Sequence, residues 1–85
     1  MDQSPLEFPR DHPIKVMGRQ SAEFRAQVLA VLAEHAGATA PPVAERLSRD
    51  GTFVSLTVTV RVASRAELDA LYRRLHATGL VLFAL

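Results

Sequence analysis

The 85-residue chain contains no cysteine, so no disulfide braces it and no thiol can act as nucleophile or soft metal ligand. That suits a reducing compartment. No apolar run approaches the roughly 20 residues needed to cross a bilayer. The opening Met1-Asp2-Gln3-Ser4-Pro5 lacks the basic start and apolar core of a signal peptide. The expected location is the cytoplasm, without a membrane partner. Blocks of like charge are missing too: ten basic residues are scattered among nine acidic ones, for a net charge of +1. Such a chain does not demand a polyanionic partner, and nucleic acid is disfavoured. No glycine loop cradles phosphate, and no serine or lysine stands in a recognisable activated setting. His12, His35 and His76 lie on three separate segments with no close His–carboxylate spacing, which is poor material for a metal site. No enzymatic activity, cofactor or metal is expected.

What is present is the composition of a folded soluble domain, 48% hydrophobic and 22% charged. The length allows one domain with one modest core. The strongest signal runs from Thr52 to Ala63, where Val54, Leu56, Val58, Val60 and Val62 alternate with Ser55, Thr57, Thr59 and Arg61. Successive strand side chains point to opposite faces, so this strand has one apolar face and one rich in hydroxyls. A sheet built on it buries one side under helices and leaves the other open.

Residues 1–13, with Pro5, Pro9 and Pro13 among charged residues, read as an extended lead-in to a single domain spanning 14–85. Leu6 and Phe8 are apolar enough to be pinned against the body. Ile14 to Met17 form a short strand, ended or sharply turned at Gly18. Ser21 caps a helix with Glu23 in its first turn, and Phe24, Val28, Val31, Leu32 and His35 follow at helical spacing to a stop at Gly37. Ala38 to Pro42 form a break. Val43 to Ser48 is an edge strand or irregular edge, joined by the Arg49-Asp50-Gly51 turn to the alternating strand. Ser64 and Glu67 have capping-box spacing, Leu68, Leu71, Tyr72 and Leu75 line a second helix, and Gly79 closes it. Leu80 to Leu85 form a last strand. The order βαββαβ predicts an α+β fold of the ferredoxin-like split βαβ type. Its four-stranded antiparallel sheet has strands one and three in the middle and two helices on one face.

Leu6-Glu7-Phe8-Pro9, Lys15-Val16-Met17-Gly18 ahead of the first helix, the Asp50-Gly51 hairpin, the alternating strand and the apolar last strand come in an order that resembles the YbeD-like family. These are small bacterial proteins, largely of unknown function. The resemblance spans nearly the whole chain. It implies the ferredoxin-like fold, a likeness to regulatory ACT domains that bind amino acids, and a connection to lipoate metabolism. It therefore implies a non-catalytic regulatory or interaction domain that senses a small metabolite or docks on a metabolic enzyme.

Candidate sites follow from both readings. At Gly18-Arg19-Gln20-Ser21, free amides at the helix start could hold a carboxylate with Arg19 as counter-charge. Alternatively, Gly18 makes a turn and Ser21 a cap. The open face carries Lys15, Met17, Ser55, Thr57, Thr59 and Arg61, and is either solvated or a docking face. It lacks the stacking aromatics that single-stranded RNA readers of this fold place on the central strands. The binding candidates are Lys15, Met17, Gly18, Arg19, Thr57, Thr59 and Arg61. The last strand is apolar on both faces, so either Phe8 and its neighbours fold over it or a second copy pairs there through Leu80, Leu82 and Phe83. Monomer and homodimer both remain open; homodimerisation as a structural role is the alternative function, and a nucleic-acid-binding module is a less favoured one.

Overall fold

The computed structural model describes residues 7–36 and 43–85. The expectations for Leu6, the Gly37 stop and the break at 38–42 lie outside them. The elements are β1 (Arg10–Arg19), α1 (Ala22–Ala36), β2 (Val43–Leu47), β3 (Phe53–Val62), α2 (Arg65–Ala77) and β4 (Val81–Ala84). They form one antiparallel sheet in the order β2-β3-β1-β4, the predicted arrangement.

The period-two pattern of β3 sorts its residues as expected. Val54, Leu56, Val58, Val60 and Val62 are buried, together with Ile14 and Val16 of β1. Against this face pack Phe24, Val28 and Leu32 of α1 and Leu68, Leu71 and Leu75 of α2. Both helices start where the sequence places caps. The Ser21 hydroxyl accepts from the Phe24 amide at 2.9 Å, and the Ser64 hydroxyl accepts from the Glu67 amide at 3.1 Å. The Glu67 carboxylate reaches back to the Ala63 amide at 2.5 Å, one residue before the usual capping-box partner. Gly79, with φ +77°, follows α2 in the left-handed conformation that glycine tolerates best.

Three expectations are corrected. First, β1 opens at Arg10, so Arg10 to Pro13 belong to the sheet, paired with Val62 to Thr59. Pro13 costs no ladder bond there. Its nitrogen faces the same side as that of Lys15, which meets Leu85, and β4 does not extend as far as Pro13. Second, Gly18 neither ends nor turns the strand: it lies within β1, opposite Val54. A Cβ there would stand 2.4 Å from Cε1 of Phe24 and 2.6 Å from the Leu80 carbonyl oxygen. The missing side chain is the space in which the α1 aromatic and the chain entering β4 approach the sheet. Third, Leu80 is not on the edge but packs against the core, and the regular strand begins at Val81. Leu85 extends the pairing, exchanging hydrogen bonds with Lys15 at 2.9 and 3.1 Å.

Candidate functional site

The registers fix which side chains are neighbours on the open face. Across the sheet from β4 to β2, one row reads Phe83, Met17, Ser55, Arg46, and the next reads Leu85, Lys15, Thr57, Ala44. Long side chains flank Ser55 on both sides, which leaves it only 8% exposed although it faces away from the helices. At the hairpin end, Arg19 lies opposite Phe53, and its guanidinium sits 5.7 Å from the ring centroid. This is cation–π distance, and it occupies a face of the half-buried aromatic.

These rows enclose a groove of about 280 Å³ lined by Lys15, Met17, Arg46, Leu47, Ser48, Phe53, Val54 and Ser55. Ser48 brings the β2–β3 turn to its margin. The Asp50 carboxylate accepts from the Thr52 amide and the Ser48 hydroxyl, both at 3.0 Å, and these bonds hold its pKa below the usual carboxylate value. The Ser48 hydroxyl in turn accepts from the Phe53 amide at 3.0 Å. The carboxylate is thus committed to the turn rather than to the groove. Glu45 lies on the helix side of β2 and pairs with Arg25 of α1. Among the described residues, none of the ion pairs involves Lys15, Arg46 or Arg19. The groove therefore combines an apolar wall from Met17 and Phe53 with positive charge on its rim that no ion pair among the described residues engages.

A second depression, about 550 Å³, is lined by Pro9, His35, Thr59, Val60, Arg61, Ala63 and Glu67. Three of its polar residues are engaged internally. His35 Nε2 meets the Arg61 carbonyl at 2.8 Å, Glu67 caps α2, and the Arg61 guanidinium reaches Asp11 at 3.4 Å.

The predicted site residues thus separate into groups. Lys15, Met17 and Arg19 gather at the first groove, with Thr57 beside Lys15 in the register. Thr59 and Arg61 lie at the other end of the face. Gly18 is buried on the helix side, where its lack of a Cβ serves packing. The Ser21 cap satisfies the Phe24 amide, and the Gln20 amide donates to the Thr52 carbonyl at 2.8 Å. The junction expected to bind a carboxylate therefore has fewer free amides than its sequence suggests. The structure adds Arg46, Leu47 and Ser48 of the β2 end to the groove. The signal that could have found Arg46 is the Asp50-Gly51 turn, because its register places alternate β2 residues on the open face.

On β4, Leu82, Phe83 and Leu85 are 54%, 60% and 69% exposed. Leu82 lies at the irregularity where Met17 pairs with Phe83 and Gly18 with Val81. Phe8 is half-buried against the core, and among the described residues nothing covers these β4 side chains. No helix among the described residues is long and apolar enough to cross a membrane.

Comparison with known proteins gives a consistent family and fold. The profile of a protein family of unknown function, DUF493, matches residues 3–85. A UPF0250 protein of Bordetella parapertussis is 43% identical over 81 residues, covering 94% of this chain and 89% of the relative. A UPF0250 protein of Nitrosomonas europaea is 40% identical over 76 residues, covering 88% and 87%. Among solved structures, the solution structure of protein HP0495 from H. pylori matches with a TM-score of 0.69 at 15% identity. That match covers 98% of this chain and 89% of the other, and at such low identity it speaks for the fold alone.

Proposed function

Because the chain belongs to the DUF493 (UPF0250) family, as its YbeD-like motifs imply, and that family has no assigned function, we propose from the site itself that it is a non-catalytic regulatory or interaction domain working through its open sheet face. In this reading, the face docks on a metabolic enzyme, and occupancy changes what that enzyme associates with or does. The observation that carries it is that, among the described residues, the outer edge of β4 is unpaired and Leu82, Phe83 and Leu85 are exposed beside a preformed groove. Isolated exposed leucines are ordinary, but a cluster on a free strand edge is an aggregation hazard unless something covers it. Sensing of a small metabolite is accommodated by the same face, with the groove as its seat.

In-cell photocrosslinking tests the reading. A photoreactive amino acid replaces Met17 or Phe83 on the open face, or Arg73 on the exposed side of α2 as control. The expected outcome is a discrete adduct from positions 17 and 83 and none from 73. Equal labelling from all three positions, or labelling from 73 alone, overturns the reading.

A second reading, homodimerisation along β4, is favoured by the same free edge. It predicts an adduct from position 83 and a light-scattering mass that are both twice those of the chain.

A further inference from the structure

We infer that the groove between Lys15 and Arg46 is the seat of an acidic polypeptide segment carrying an apolar anchor, supplied by the protein on which the open face docks. The inference rests on the interaction reading above and names the chemistry of the partner. Charge decides the sign of the occupant. Lys15 and Arg46 are exposed on opposite sides of β3, and Arg19 lies over Phe53. Among side-chain carboxylates of the described residues, Glu45, Asp50 and Asp11 are engaged by Arg25, by the turn and by Arg61. An incoming carboxylate meets in Lys15 and Arg46 two cations that, among the described residues, have no ion-pair partner to abandon.

Shape decides the class. The groove of about 280 Å³ runs, through the Met17–Phe83 pairing, into the exposed Phe83 side of β4. A ligand small enough for the groove alone leaves Leu82, Phe83 and Leu85 in water, whereas a polypeptide covers both regions at once. A second copy laid face to face with its two-fold axis through the groove would set these cations against their own images. Nucleic acid would satisfy the charge but not the rest. The central rows offer methionine, serine and threonine for stacking, and Arg19 already lies over the Phe53 ring.

The test is an amide NMR titration of the isotope-labelled chain with three probes. These are a blocked peptide of alternating glutamate and leucine, its lysine–leucine counterpart, and a short oligothymidylate. The acidic peptide is expected to give saturable shifts at Lys15, Met17, Arg46 and Ser55, at least roughly tenfold tighter than the lysine peptide and weakening with added salt. Arg46→Glu is expected to lower that affinity about tenfold or more, and Arg73→Glu to leave it unchanged. Both arginines are exposed, so folding is expected to survive either change. Equal binding of the two peptides overturns the inference, as does the absence of groove shifts with the acidic one. Binding of oligothymidylate alone replaces the polypeptide with nucleic acid. Shifts confined to Leu82, Phe83 and Leu85 overturn the groove assignment but leave the docking reading intact. Failed crosslinking from positions 17 and 83 removes the docking reading whatever the peptide does.

Discussion

Gly18 and His12 have roles in this fold that their own sequence neighbourhoods do not reveal. A methyl group at Gly18 would collide with a ring that packing holds in place and with backbone at Leu80, and backbone cannot rotate away. Gly18→Ala is therefore expected to destabilise the fold by about 1–3 kcal/mol in urea denaturation, the usual cost of overpacking. Pairing it with Phe24→Leu should cost less than the two single changes added together, since the smaller side chain vacates the contested space. A strictly additive pair would sink the steric account. His12 faces the helix side of β1 opposite Val60, and its Nδ1 is buried without a partner among the described residues. Desolvation first, then the Arg10 and Arg65 charges, hold its pKa below the ordinary 6.5. A histidine that resists protonation in the folded state contributes stability above its unfolded pKa. That contribution is lost as pH falls through about 6.5 toward the lower folded value. Wild type should accordingly lose more thermal stability than His12→Gln between about pH 7 and 5. Parallel melting curves for the two proteins would refute this role.

Among the elements, α2 and β4 show how differently local sequence and distant neighbours contribute. The start of α2 is written locally, with Ser64 and Glu67 holding the Glu67 and Ala63 amides. Ser64→Ala removes the acceptor and is expected to cost about 1 kcal/mol, with Ser64→Asp retaining most of the stability. Equal losses for the two variants would mean that the cap is not what is being measured. The limits of β4 are not local. All six residues from Leu80 to Leu85 are apolar, yet Leu80 joins the core while Leu82, Phe83 and Leu85 stay exposed. The register irregularity opposite Met17 and Gly18 makes that division, and it depends on what β1 presents at those positions. The extension of β1 back to Arg10 has a similar origin, since the β3 residues opposite, Thr59 to Val62, continue far enough to pair with it.

The whole molecule is a two-faced sheet: one face carries the buried core, and the other is the face we propose for docking. Leu56→Ala opens a cavity between the sheet and both helices and should cost about 2–5 kcal/mol. Thr59→Ala on the opposite face should stay within roughly 0.5 kcal/mol of wild type. Comparable losses for both would mean that the open face is covered by the chain itself. The sequence alone determined the element order, the inward face of β3 and both helix caps, because these follow from periodicities and hydrogen bonds within a few residues. It also placed Lys15 and Met17 on the open face. Only the tertiary structure decided that Gly18 is a packing position, that Arg46 stands across Ser55 from Met17, and that Thr59 and Arg61 belong to a different end from Lys15. Those relations join residues tens of positions apart, through strand registers and the close approach of a helix, and no short-range pattern in the chain encodes them.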